Sequence, residues 1–486
     1  MKEQENKTLQ RQLKPINVWA IAFGCIIGWG AFVNPGKKFL PNSGVAGTAI
    51  AMVLGAAVMI VIAFSYAYMI PKYPKAGGEF TFTKECFGKK LAFVCGWFLV
   101  AAYLTNVPMN STAIGLIVDG LDGNANILKF GFHYTVAGFE IYFGEMLFAT
   151  IILIVMGILN ILGVKKAAFI QTVLSGLLAI SVFVLAIAAL FSAKAKGIHM
   201  EPIWGFNKAE AMAVNATADT IGSFAHQGSK GILSAVLATF AIAPWAYVGF
   251  DTIPQVAEEF NFSYKKVIAV MVIAILFGCF VYTTNNAVTA AVLEDWPERV
   301  MAGEWVLLVA AEQMLGVFGK VLIGLAVFSA VLSGIMGFYL ASSRLLYSMA
   351  QDAYLTKTLG KLDSKYGTPK NAILFCMLIS LTGPVLGREA LGWFLDMSAI
   401  GASMAFFFTS TCAYKKMRED NACGTLLKVM AVLGVVFSLI FMTLQLIPIP
   451  ALRGVCISKE SYIMLGVWIT LGILLYLYKK PEKTVP

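Results

Sequence analysis

Along this chain apolar residues arrive in long, nearly unbroken runs, and polar residues collect in the short connections between them. A helix that spans a bilayer needs roughly 20 mostly apolar residues. Runs of that kind lie near 17–40, 44–70, 91–118, 143–163, 168–193, 233–257, 266–293, 318–349, 370–386, 390–414, 425–447 and 461–478. The pattern therefore predicts an all-α integral membrane protein with about twelve transmembrane helices. The two longest outer connections are 195–231 and 294–316. The second holds an amphipathic stretch, Glu304 to Leu315, expected to form a short surface helix.

Composition agrees with the pattern. The 486 residues are 59% hydrophobic and 13% charged, against about 45–50% and about 25% for soluble domains. The net charge of +10 is compatible with nucleic acid or with an anionic membrane surface, and placement separates the two. On one side of the alternating spans fall Lys2, Lys7, Arg11 and Lys14, then Lys72–Lys90, Lys165/Lys166, Lys265/Lys266, Lys357–Lys370, Lys415–Lys428 and Lys479–Lys483. With Arg344 these make about 25 of the 37 basic residues, an asymmetry that orients a membrane protein rather than binding nucleic acid. It places both termini in the cytoplasm: a segment 1–16, one transporter domain 17–478, and a tail 479–486. No apolar signal-peptide core precedes the first run, which is expected to direct insertion itself. The eight cysteines and three histidines show no zinc spacing, so no metal site and no cofactor is expected. The histidines, His133, His199 and His226, fall in outer connections.

Two runs are interrupted. The first reads Ile21-Ala-Phe-Gly24-Cys-Ile26-Ile27-Gly28-Trp29-Gly30-Ala-Phe32, with glycines that each cost about 1 kcal/mol in a helix interior relative to alanine. Taken alone they fit either close helix packing or a break. The sixth run contains Pro244-Trp245-Ala246-Tyr247-Val248-Gly249-Phe250-Asp251 and Pro254. The two runs hold equivalent places if five spans are followed by five more, and paired interruptions are the best sequence pointer to a transporter's binding site. Unwound backbone there offers carbonyls to an ammonium and N–H groups to a carboxylate. An α-amino acid carries both groups, and lipid tolerates such backbone only where it lines a cavity.

These residues resemble the amino acid–polyamine–organocation (APC) family of permeases. Gly24-x-x-x-Gly28-x-Gly30-x-Phe32 is similar to that family's first-span signature. Pro74-Lys-Ala-Gly77-Gly78-Glu79-Phe80 with Phe87-Gly88 resembles its loop between spans two and three. Asn160-Ile-Leu-Gly163-Val164-Lys165 with Gln171 resembles the start of its fifth span. Trp245 to Asp251 with Ala257-Glu258-Glu259, and Ser342-Ser343-Arg344-Leu345-Leu346-Tyr347, resemble its sixth span and the end of its eighth. The resemblance implies the LeuT-type fold: 5+5 inverted repeats, about 17–193 and 233–414, with helices 1 and 6 broken and two extra helices over 425–478. It also implies alternating access, driven by protons or by substrate exchange. By position, the carbonyls of Ile26, Trp245 and Val248 would meet a substrate amine, and Trp29 and the Gly30 N–H its carboxylate. Ile27, Gly28, Ala246, Tyr247 and Gly249 would complete the two breaks, and Trp245 would double as a gate. Two departures stand out. Trp29 occupies a position where many members carry a small residue, so its indole either shrinks the pocket or packs on a neighbour; a large substrate such as arginine fits less well. Leu178 stands where proton-coupled relatives often carry a lysine, which removes that route of coupling.

Ionisable groups inside the runs need a reason, since a mid-bilayer charge costs at least about 2.5–3.5 kcal/mol. Asp251 is expected either to cap the half-helix that follows it or to act as a proton-sensitive switch; the two are compatible. Asp396 is a candidate for gating or for a structural hydrogen bond between helices. Arg344 is expected at the cytoplasmic end, snorkelling or joined to a gate network. Tyr103 and Asn106 are candidates to line the pocket or to pack. Ser329 and Ser333 offer a hint of a sodium site set against bonding to their own backbone.

The function expected is a secondary active transporter of amino acids or related small amines in the cell membrane, using a proton or sodium gradient or exchange. A membrane enzyme would need catalytic motifs such as a helical HExxH, and none occurs in the sequence, which also has no Walker motif. The alternative is a membrane assembly subunit without its own transport. The partners expected are a small-molecule substrate and membrane lipid; an accessory subunit and the oligomeric state stay open.

Overall fold

The computed structural model describes residues 9–121, 125–136, 139–196, 200–387, 390–420, 422–448 and 456–478. The expected tail 479–486, the first half of the segment 1–16, and Lys2, Lys7 and His199 lie outside the described residues.

In chain order the helices are α1 (Pro15–Ile26), α2 (Gly30–Asn34), α3 (Leu40–Met69), α4 (Gly78–Phe87), α5 (Lys89–Leu121), α6 (Phe143–Ile161) and α7 (Val164–Lys196). After α8 (Lys208–Ala213) and α9 (Ala218–Ile221) come α10 (Gly228–Phe240), α11 (Ala243–Tyr247), a 3-10 segment Phe250–Glu259, and α12 (Val267–Val292). The chain continues with α13 (Trp296–Met301), α14 (Val306–Leu315), α15 (Val317–Gln351), α16 (Lys370–Ser380), α17 (Thr382–Leu386), α18 (Ala390–Glu419), α19 (Thr425–Leu446) and α20 (Lys459–Tyr478).

Among the described residues, nine helices are long and apolar enough to cross a membrane, and the bent pair 228–240 and 243–259 makes a tenth. The expected run 17–40 is not one helix. Its first part is α1, and its remainder joins α3 through a π-helical turn, Pro35–Phe39, with a kink at Gly44 (φ 59°). The run 370–386 is likewise divided between α16 and α17. One element departs from the all-α expectation: the connection before α6 pairs two short antiparallel strands, β1 (His133–Val136) and β2 (Phe139–Tyr142). Its Tyr134 hydroxyl donates to the Val385 carbonyl (2.6 Å), fixing the hairpin on α17. The stretch around 304–315 forms α14, but Val306, Leu307, Leu308, Ala310 and Ala311 are buried, so it packs into the fold rather than lying on it.

The core forms where small residues let backbones approach. The most buried of the long helices are α5, α15 and α18, and both α15 and α18 pack on α5. At Gly401 a side chain would overlap the Phe98 carbonyl across the α5–α18 contact. Around this group sit α1, α3, α7 and α12, while α19 and α20 present mostly exposed apolar faces.

Candidate functional site

Pro15 starts α1 at a position where a missing N–H costs nothing, and the helix stops at Ile26 because Ile27 turns extended (φ −100°, ψ 97°). Helical hydrogen bonding resumes with the Gly28 carbonyl accepting from Ala31 N–H (3.2 Å) and the Trp29 carbonyl from Phe32 N–H (3.0 Å). The first amides of a helix have no acceptor in their own turn, so residues 28–30 head α2 with N–H groups free of intrahelical demand. In the second segment, α11 stops at Tyr247 and Gly249 takes φ 144°, a conformation open to glycine and costly for other residues.

The two interruptions touch. A β-carbon at Gly30 would overlap Cη2 of the Trp245 indole and lie 3.2 Å from Cζ2. One at Gly249 would sit 2.5 Å from the Ile26 nitrogen and 2.7 Å from the Ala22 carbonyl oxygen. Glycine at both positions thus permits backbone of one segment to lie against the other. Ile26, Ile27, Trp29, Trp245, Ala246, Tyr247 and Val248 are all buried.

The structure gives several of the residues singled out in the sequence specific partners. The Ile26 carbonyl is not free: it accepts from the Tyr282 hydroxyl of α12 (3.2 Å). The Tyr247 hydroxyl turns away from the break and donates to the Met52 carbonyl (2.7 Å). The Trp29 indole N–H is buried without a hydrogen-bond partner among the described residues. Asp251 does not cap the segment that follows it. It lies within the 3-10 turn, and its Oδ1 accepts from the preceding Gly249 N–H (2.7 Å). A 3-10 start places that upstream amide, rather than the downstream ones, within reach. Arg344 does not snorkel. It is 1% exposed, and its Nε donates to Glu259 Oε1 (2.9 Å), equally buried. Asp396 accepts from Ser461 Oγ (2.6 Å) and Ser458 N–H (3.1 Å), tying α18 to the start of α20. Ser333 donates to the Ala330 carbonyl of its own helix (3.0 Å) and to the Gly24 carbonyl of α1 (3.3 Å).

Tyr103 and Asn106 lie on one face of α5. Tyr103 donates to the Asp251 carbonyl (2.7 Å), and Asn106 to Ser398 of α18 (2.7 Å). One turn further, Asn110 stands between Gly28 and Gly334: a β-carbon at either glycine would sit 3.1 Å from its amide. Sequence reading missed Asn110, although its i, i+4 spacing from Asn106 puts the two on one face. It also missed Tyr282, which nothing local marks out, and Glu79. Glu79 is fully buried and accepts from Tyr66 (2.9 Å), Tyr103 (3.4 Å) and Gln255 Nε2 (2.6 Å). The Gly77-Gly78 pair before it, both at positive φ, turns the chain so that Glu79 points inward.

A further network lies at the end of the second segment. The Glu259 carbonyl accepts from Gln12 and Leu13 N–H (2.9 Å each), and the Leu13 carbonyl from Asn261 N–H (2.9 Å). The residues before α1 are therefore bound, through Glu259, to Arg344 of α15.

These features define a polytopic helical membrane protein with two interrupted segments packed on each other. The chain belongs to the amino acid permease family, whose model matches residues 13–474, a family of permeases and not of enzymes. It is 26% identical over 376 residues to the large neutral amino acids transporter small subunit 2 of Rattus norvegicus, covering 77% of this chain and 64% of the relative. The Asc-type amino acid transporter 1 of Homo sapiens is 25% identical over 375 residues, 76% of this chain and 65% of the relative. The branched-chain amino acid permease BcaP of Bacillus subtilis (strain 168) is 24% identical over 410 residues, 82% and 79% respectively. The matched region thus spans just under two-thirds of the first of these relatives.

Proposed function

We propose that this protein is a secondary active transporter that moves amino acids across the cell membrane by alternating access, with both termini cytoplasmic. In this reading α1 and α2 are the halves of span one, and α10 and the 243–259 segment the halves of span six. Twelve spans follow, in a 5+5 inverted repeat with α19 and α20 added. The observation that carries the reading is the contact of Trp245 with Gly30. It brings the two interrupted segments together, which supports a site made of their backbone carbonyls and helix-start amides.

The substrate carboxylate would be received by the amides at 28–30. The substrate amine would share the Ile26 carbonyl with Tyr282, since a carbonyl oxygen accepts twice, or use the carbonyls of Trp245 and Val248. Trp245 closes over the carboxylate end. The side chains flanking the segments, Trp29, Asn110, Trp245 and Tyr282, are uncharged, which favours a neutral amino acid. The names of the relatives, large neutral and branched-chain, point the same way.

Uptake of labelled leucine, alanine, glutamate, arginine and putrescine into proteoliposomes tests the proposal, with and without proton and sodium gradients. Saturable uptake of the neutral amino acids is expected. If well-folded protein moves none of them, the assembly-subunit reading takes its place.

A further inference from the structure

A buried acidic site lies beside the second interrupted segment. Glu79 of α4 and Asp251 are both fully buried. The Tyr103 hydroxyl bridges them, 3.4 Å from Glu79 Oε1 and 2.7 Å from the Asp251 carbonyl. The bonds to Glu79 come from three elements: Tyr66 of α3, Tyr103 of α5 and Gln255 of the 3-10 segment. Asp251 accepts one bond from Gly249 N–H, and its Oδ2 is buried with no hydrogen-bond partner among the described residues. The Gln255 side-chain oxygen Oε1 is also buried and unpartnered among them.

The titratable groups that face the pair are themselves neutral donors or thiols. They are Tyr66 on α3, Tyr103 and Cys95 on α5, and Cys25 on α1. Arg344, on α15, is committed to Glu259. Among the described residues, neither carboxylate is bonded by a lysine, arginine or histidine. Two carboxylates buried on segments joined through Tyr103 and bonded by no cation among the described residues disfavour each other's charge, and removing both charges from water is costly. A proton held on one of them lowers both costs.

We infer that Glu79 and Asp251 form a proton-binding site, which holds one proton in this arrangement and exchanges it with water when the 250–259 segment parts from α4 and α5. Parting breaks the Gln255–Glu79 and Tyr103–Asp251 bonds together and opens the pair to solvent. The proton arrives from water on one side and leaves to water on the other, with no electron transfer. Its coupling to amino acid movement rests on the transport reading above; the proton site itself does not.

Two measurements on the full-length protein test the inference. Infrared difference titration of purified protein should show the carbonyl stretch of a protonated carboxyl group, lost in both Glu79→Gln and Asp251→Asn and kept in Glu79→Asp. In proteoliposomes, one pH unit supports about tenfold accumulation if one proton accompanies each substrate. Glu79→Gln should reduce this to about onefold while exchange of labelled for unlabelled leucine continues. A structural role alone would lower both activities together. A wild-type protein that exchanges leucine but ignores the pH gradient, or a Glu79→Gln protein that keeps the band and the accumulation, overturns the inference. A wild type that exchanges no amino acid sinks the transport reading instead, and the infrared titration then decides the proton site alone.

Discussion

Arg344 and Glu259 form an ion pair of 2.9 Å in which each side chain is 1% exposed. The same Glu259 holds the residues before α1 through its main-chain carbonyl. One acidic residue therefore joins the N-terminal segment, the end of the second interrupted segment and α15. Truncating one partner of a buried pair leaves the other charge without compensation, at about 3–5 kcal/mol. Arg344→Ala should lower the melting temperature of the purified protein clearly, and the double variant Arg344→Met with Glu259→Met should recover most of it. An Arg344→Ala protein that melts with the wild type would show that the pair holds nothing together.

The overlap between Gly30 and Trp245 gives a second expectation. Gly30→Val fills the space taken by the indole and restricts backbone that must present N–H groups. The variant should insert and purify, yet lose at least about tenfold in substrate affinity, or 1.4 kcal/mol, measured by ligand-induced thermal shift. Adding Trp245→Ala relieves the overlap and should restore part of the loss. Wild-type affinity in Gly30→Val alone would place the site elsewhere.

Asp396 is bonded to the start of α20 and, among the described residues, makes no bond to the interrupted segments. Asp396→Ala is expected to cost about 1–3 kcal/mol of stability through unsatisfied partners, while KM for uptake stays at the wild-type value. A changed KM at unchanged stability would return Asp396 to the gating machinery.

The lysine-rich connections predict topology. Single cysteines placed in 72–90 and in 357–370, in a background free of other reactive cysteines, should react with an impermeant thiol reagent only after the cells are permeabilised. Labelling of either connection in intact cells would invert the proposed orientation.

The membrane character of the chain was fully legible in its residues, because the hydrophobic effect acts on composition and run length and needs no knowledge of packing. Glycine and proline announce backbone freedom locally, and α1 stops at Ile26 and α11 at Tyr247, within the stretches that the glycines and the Pro-Trp-Ala-Tyr-Val-Gly sequence marked.

Which groups meet was decided by the tertiary structure alone. Tyr282 reaches the Ile26 carbonyl from 256 residues away, and Gln255 reaches Glu79 across 176. Nothing near Glu79 in the sequence separates it from an ordinary loop carboxylate; only three helices closing on it take it out of water. Asp251 read from its place in the chain as a cap or a proton-sensitive switch, and the 3-10 geometry turned its carboxylate back toward Gly249. Burial and hydrogen-bond partnership belong to pairs of distant segments. The sequence sets the runs and the breaks, and the packing of those runs decides which polar groups lose water and which of them find one another.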